Sequence, residues 1–118
     1  MINPIANDLD ATLAALADPT RRRVIEVLRT APRRAGDLAE EVEMSRPALS
    51  RHLRVLRQSG LVDVDTLSDD ARGRLYRLRP ERFVALQAWL DQVQAFWTEQ
   101  LGAFKAHAER RRPKGRTP

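Results

Sequence analysis

The stretch of sequence that decides the fold is GDLAEEVEMSRPALSRHLRVLRQSGLV, residues 36–62. Its first part places Leu38 and Val42 at helical spacing, which predicts a short helix with one buried side. Ser45 is a favoured N-cap residue for a second helix, and Gly60 is a favoured residue just beyond its C-terminus. Because only two or three residues separate these helices, the stretch predicts a helix-turn-helix.

The second helix of this pair has two chemically different faces. At about 100° per residue, Leu49, Leu53 and Leu56 fall together on one side. The other side holds arginine and serine, and no acidic residue occurs in residues 44–62. Unpaired arginines on one face repel each other unless an anion neutralises them, and the major groove of DNA admits one helix between its phosphates. The face therefore predicts contact with duplex DNA, and a merely solvated charged face is the alternative. Its polar members are Arg46, Ser50, Arg51, Arg54 and Arg57.

The position of each side chain along this helix predicts its task on DNA. Arg46 and Ser50 lie near the N-terminal end, where side chains reach base edges. Arg54 and Arg57 lie further along the same face, where phosphates are closer. We therefore expect the first pair to select sequence and the second pair to hold the backbone.

The flanking segments predict a mainly α-helical fold with a small β-hairpin, a winged helix-turn-helix. Asp18 and Pro19 begin one helix, and a short amphipathic helix precedes it. Two alternating segments, residues 61–65 and 74–78, predict a two-stranded wing after the helix pair. Arg72 and Arg74 near its tip could reach the minor groove or the DNA backbone. Acidic residues in the same hairpin oppose that contact: Asp63, Asp65, Asp69 and Asp70.

A helix of about thirty residues is predicted from Pro80 onward, and its length exceeds what a small domain covers by itself. Apolar residues recur along it every seven positions, with a second apolar line beside them, as in a coiled coil. The simplest partner for this seam is the same helix of a second copy. The alternative is that Trp89 and Trp97 line a ligand cavity. The seam comprises Phe83, Leu86, Leu90, Val93, Trp97, Leu101 and Phe104.

Composition narrows the class of protein. The chain of 118 residues has no cysteine, which excludes disulfides and thiolate metal sites. Its net charge of +5 is concentrated at the C-terminal end, because residues 110–116 hold five basic side chains.

We expect one domain over residues 1–110 and a basic disordered tail over 111–118. With neither a signal peptide nor a membrane-spanning segment expected, a cytoplasmic location is predicted and no membrane partner.

Several segments, in order along the chain, resemble the ArsR/SmtB family of winged-helix repressors. These are LADPTRRR (residues 16–23), DLAE (37–40), SRPALSRHLRVL (45–56), GLV (60–62) and YRL (76–78). The resemblance covers about residues 9–104 and implies a homodimer that uses its first and last helices, which adds Leu9 and Leu13 to the interface. The expected DNA contacts are Ser45, Arg46, Pro47, Ser50, Arg51, Arg54, Arg57, Arg72 and Arg74.

The sequence also departs from that family's metal sensors. Their sites use cysteines on the third helix, or Asp, His and Glu on the last helix, where this chain offers only Asp91 and His107. Because a transition-metal site needs three or four converging ligands, we expect no metal and no cofactor.

The sequence thus predicts a homodimeric repressor that binds duplex DNA. The alternatives are a protein-interaction module that kept the fold and a regulator that senses a small organic ligand at the last helix. An enzyme is not expected, since no catalytic set is evident.

Overall fold

The computed structural model describes residues 4–65 and 73–111, and side chains from residue 8 onward. The predicted mainly helical fold is confirmed. Arg72 and most of the predicted disordered tail lie outside the described residues. The elements are α1 Pro4–Leu16, α2 Pro19–Thr30, β1 Arg33–Arg34, α3 Ala35–Glu41, α4 Arg46–Gln58, β2 Val62–Asp65, β3 Leu75–Leu78 and α5 Pro80–Arg110.

Two helix starts are capped by the residues that the sequence indicated. The Asp18 side chain accepts hydrogen bonds from the backbone N–H groups of Thr20 and Arg21, at 2.7 and 3.3 Å. The Ser45 hydroxyl accepts one from the backbone N–H of Ala48, at 3.3 Å. Each cap satisfies donors that have no partner within the helix, and this fixes where α2 and α4 begin.

The described residues form a sheet of three strands: the two predicted wing strands pair as β2 and β3, and β1 is a strand that the sequence analysis did not predict. The strand order is β1-β3-β2, and both pairings are antiparallel. The additional strand, β1, pairs Arg33 with Tyr76 and Arg34 with Leu75. Two arginines have no alternating apolar pattern, and their strand exists only because β3 offers them a partner edge. The first half of β3 is thereby joined to the segment between α2 and α3.

The core lies between α2, α3 and α4, and α2 also contacts α1 and β3. Among the residues of α1 whose side chains are described, Ala15 is buried and apolar. Thr12 of the same helix is buried as well, and its hydroxyl donates to the carbonyl of Asp8 at 2.9 Å. The most deeply buried apolar side chains are Val24, Leu38, Leu49, Leu56 and Leu61. This core fixes α4 by one face only and leaves its other face at the surface.

The chain divides into two compact units, Met1–Leu86 and Gln87–Pro118. The first unit contains the helix-turn-helix and the sheet. The second contains the greater part of α5, none of whose described residues is buried. No helix in the described part of the chain is both long and apolar enough to span a membrane.

Candidate nucleic-acid interface

The turn between α3 and α4 is held by a Schellman motif that ends α3. The backbone N–H of Met44 donates to the carbonyl of Ala39 at 3.0 Å, and that of Glu43 donates to Glu40 at 3.2 Å. This geometry requires a left-handed residue, and Glu43 occupies that position with φ of 54°. Glycine is the usual residue there, so the turn has backbone strain at Glu43.

The C-terminus of α4 ends in the same motif, here with the expected glycine. The backbone N–H of Leu61 donates to Leu56 at 2.9 Å, and that of Gly60 donates to Arg57 at 3.0 Å. Gly60 adopts φ of 77°, which confirms its predicted role as the helix stop. Leu61 is buried and leads directly into β2. Both ends of α4 are therefore defined by hydrogen bonds, so its exposed face has a fixed direction.

The two faces of α4 divide as the sequence predicted. Leu49, Leu53 and Leu56 are buried. The opposite face is exposed to solvent along the whole helix, and the ring of Pro47 is exposed at its start. The structure thus brings the predicted DNA-contacting side chains of α4 onto one surface: Ser45, Arg46, Pro47, Ser50, Arg51, Arg54 and Arg57.

The arginines of α4 differ from most of the arginines elsewhere in the described residues. Arg21 donates to the carbonyls of Ala14 and Ala15, and Arg33 pairs with Glu41 at 2.7 Å. Further paired arginines are Arg22, Arg23, Arg29, Arg34, Arg77, Arg79 and Arg82. The polar face of α4 carries four arginines: Arg46, Arg51, Arg54 and Arg57. Their side chains make no hydrogen bond or ion pair with another residue in 4–65 or 73–111. Their charge is left for an external anion.

An open hollow of about 320 Å³ lies beside the C-terminal half of α4. Arg54 and Arg57 line it from the helix, and Asp63 and Arg79 line it from the base of the sheet. The Arg79 side chain makes an exposed ion pair with Glu81 at 3.7 Å, a kind of contact that contributes little. Sequence inspection missed Arg79 because 22 positions separate it from Arg57, and only the strand pairing brings the two together.

One acidic residue of the wing, Asp63, is paired with a neighbouring arginine. Asp63 accepts from the backbone N–H of Val64 at 2.8 Å and from Arg77 at 3.4 Å. The Val64 hydrogen bond lowers the pKa of Asp63 and, with Arg77, outweighs the opposing effect of partial burial. Arg74, one of the two predicted wing contacts, is exposed. The carboxylate of Asp63 is therefore a weaker obstacle to a phosphate than the sequence indicated.

α5 exposes large apolar side chains. Leu90, Trp97, Leu101 and Phe104 of the predicted seam are between 45% and 72% exposed. Leu9, Phe83, Leu86 and Val93 are half-buried, and Leu13 is exposed. Three further exposed apolar side chains lie outside the predicted seam: Trp89, which the sequence suggested as a possible cavity wall, and Val84 and Phe96, which the sequence analysis did not single out. Phe96 meets Trp97 edge-on, with ring centroids 5.7 Å apart.

The residues that could ligate a metal ion are dispersed in the described part of the chain. Cysteine is absent from the sequence. In the described segments, no three His, Asp or Glu side chains are close enough together to hold a metal ion. The carboxylate of Asp91 accepts a hydrogen bond from the amide of Gln87 at 2.8 Å.

Comparison with known proteins gives the family. Residues 18–64 match the family described as bacterial regulatory protein, arsR family. The chain is 40% identical over 97 residues to the HTH-type transcriptional regulator Rv2034 of Mycobacterium tuberculosis, covering 80% of this chain and 83% of that protein. It is 37% identical over 60 residues to the transcriptional repressor SdpR of Bacillus subtilis, which covers 51% of this chain and 61% of the repressor.

A solved structure agrees with these relatives. The ArsR-like transcriptional regulator from Rhodococcus sp. RHA1 superposes with a TM-score of 0.73 at 30% identity. The match covers 87% of this chain and 94% of the Rhodococcus chain. The protein therefore belongs to the arsR family of bacterial regulatory proteins and is a DNA-binding transcriptional regulator with a winged helix-turn-helix.

Proposed function

We propose that the protein is a homodimeric repressor that inserts α4 into the major groove of duplex DNA. The observation that carries this proposal is the exposed arginine face of α4, which has no protein partner among the described residues. A helix in the major groove has phosphates on both sides, which supply the missing negative charge. The relative from Bacillus subtilis is named a repressor, and this supports repression as the outcome of binding.

The order of side chains along α4 supports a division between base contacts and backbone contacts. Arg46 and Ser50 lie in the first turns, where side chains of a recognition helix meet base edges. Arg54 and Arg57 border the open hollow with Arg79, which gives phosphate oxygens several guanidinium groups to approach. The oxygen of Ser45 is engaged in the helix cap, so its hydroxyl hydrogen remains free to donate to DNA.

The exposed apolar side chains of α5 support a dimer. Trp97 is 57% exposed and Phe104 72%, and large apolar surfaces of this kind mark sites of protein association. A second copy of the same helix offers the same seven-residue repeat and closes a two-fold symmetric contact. Two copies of α4 related by that symmetry would recognise two half-sites of a palindromic operator.

The proposal includes no catalysis, metal or cofactor. A thiolate sensor cannot form because the sequence lacks cysteine, and binding to DNA requires no reactive group. Because a regulator acts where chromosomal DNA is found, we expect a cytoplasmic location.

The experiment that tests the proposal measures DNA affinity at several salt concentrations. A duplex enriched from a random pool by the wild-type protein serves as the operator. Arg54→Ala should weaken binding and reduce the salt slope by about 1, because one fewer counterion is released. Arg29→Ala removes the same charge from α2, where the side chain is exposed and paired with Glu26 at 3.0 Å, and should leave the slope unchanged. Equal slopes for both variants would contradict α4 as the DNA surface.

A further inference from the structure

Arg82, on the first turns of α5, joins three elements that are far apart in sequence. Its Nη1 donates to Oδ2 of Asp8 on α1 at 2.7 Å, across 74 positions of the chain. The two side chains are 37% and 45% exposed, so solvent reaches the pair. This ion pair ties α5 to α1.

The stem of Arg82 also lies against the end of the recognition helix. A Cβ on Gly60 would be 2.8 Å from Nε of Arg82 and 3.3 Å from its Cγ. Glycine at this position therefore satisfies the left-handed helix stop and leaves room for the arginine. Beside it, the backbone N–H of Arg79 donates to the carbonyl of Leu61 at 2.9 Å. The C-terminus of α4 is thus fixed to the start of α5 by a backbone bond and by a packed side chain.

We propose that Arg82 is a positioning residue that sets the direction of α4 relative to α1 and to the first turns of α5. The inference rests on the proposed function, in which α1 and α5 form the dimer interface and α4 enters the groove. A dimer gains affinity when both copies of α4 fit their half-sites at once, and this gain depends on how well the geometry is held. Arg82 contributes to DNA binding through that geometry and touches no base.

The size of the expected effect separates positioning from simple stabilisation. Exposed ion pairs contribute little to folding, so loss of the Asp8 pair leaves the protein folded. In terms of affinity, a contact of that strength corresponds to roughly a two- to fivefold change. That change should appear on an operator with two half-sites and be absent on a duplex with one, because only the former requires both copies to be aligned.

Arg82→Met keeps an unbranched stem over Gly60 and removes the charge that reaches Asp8. Asp8→Asn removes the charge from the other side of the pair. Arg29→Met is the matched control for the first variant, because the Arg29 side chain pairs with Glu26 of the same helix at 3.0 Å and, among the described residues, joins no second element. Asp10→Asn is the control for the second, since Asp10 is exposed on α1.

The measurement is the ratio of affinities for a two-half-site duplex and a one-half-site duplex, with the dimer fraction determined by light scattering at the same concentrations. We expect Arg82→Met and Asp8→Asn to lower this ratio roughly two- to fivefold and the controls to leave it unchanged. An unchanged ratio, an equal loss on both duplexes, or a fall explained by dissociated dimer would overturn the positioning role. Arg54→Ala separates a failure of the proposed function from a failure of the Arg82 inference. If Arg54→Ala still lowers the salt slope, the proposed function stands even when the positioning role of Arg82 is overturned.

Discussion

Gly60 and Arg82 are in such close contact that no larger residue fits at position 60 without displacing the arginine. The nearest approach, from an ideal Cβ to Nε of Arg82, is 2.8 Å. Gly60 also has φ of 77°, so two independent constraints select glycine at the end of α4. The two constraints can be separated by mutation, because only one of them involves Arg82.

Gly60→Ala should destabilise the protein by about 1–2 kcal/mol through the left-handed backbone alone, and by more because Arg82 must move. In an Arg82→Ala background the second contribution disappears, so the destabilisation by Gly60→Ala should be smaller. Urea unfolding of the four proteins measures this coupling. The same loss in both backgrounds would show that Arg82 does not pack on Gly60.

Glu43→Gly should stabilise the protein by about 1 kcal/mol, because glycine adopts the left-handed conformation without strain. Glu43 has φ of 54° in the turn that precedes α4. Glu40→Gly is the control, since it places glycine at a helical position of α3 and should destabilise the protein by roughly 0.5–1 kcal/mol. Unfolding midpoints in urea give the sign of each effect. Destabilisation by Glu43→Gly would contradict the assigned backbone strain.

Asp18 should make stability depend on pH in the acidic range. Partial burial raises the pKa of its carboxyl, but hydrogen bonds from the backbone of Arg21 and Thr20, with the charge of Arg21, outweigh it and hold the pKa below 3.8. The pKa of Asp18 is lower in the folded protein than in the unfolded chain. The resulting stabilisation is therefore complete above the pKa of the unfolded state, and it is lost as the pH falls through the pKa of the folded state.

Asp18→Asn keeps a capping side chain and removes the titration. The melting temperature of the wild-type protein should exceed that of Asp18→Asn most at neutral pH, and the difference should shrink below about pH 4. Thermal unfolding from pH 7 to pH 2.5 measures this. A difference that grows as pH falls would contradict the lowered pKa.

Arg46→Ala should weaken binding to the operator by roughly 1–3 kcal/mol and binding to random duplex very little, because a base contact matters only at the right base. Arg54→Ala should weaken both similarly. Affinities for the two duplexes at matched salt distinguish these patterns. If Arg46→Ala weakened both equally and Arg54→Ala weakened only the operator, the assigned roles along α4 would be reversed.

The wild-type protein should have a mass of about 27 kDa in solution, twice the 13.5 kDa of the chain. Leu90→Glu combined with Trp97→Glu should give monomer or aggregate, because two charges would be buried in an apolar contact. Thr98→Glu, at an exposed position outside the seam, should leave the dimer intact. Light scattering measures the mass. A folded wild-type monomer at micromolar concentration would rule out the dimer.

The sequence by itself determined the elements whose signals are local. The ends of two helices are marked by single residues. An N-cap requires one side chain that accepts a hydrogen bond, as in Asp18 and Ser45, and the left-handed stop after α4 requires one residue without a side chain, Gly60. The division of α4 into a leucine face and an arginine face follows from helical spacing, and the burial of Leu53 confirms it. These features needed no information from distant parts of the chain.

Only the tertiary structure decided the features that depend on distant partners. β1 is two residues long and exists because the edge of β3 is available to it. Glu43 is left-handed because the core fixes α3 and α4 at a tight turn, which overrides the residue's own preference. Arg82 meets Asp8 and Gly60 only after the chain has folded α1, α4 and α5 together. Local propensity cannot encode such contacts, since their energy comes from groups that the sequence places tens of residues apart.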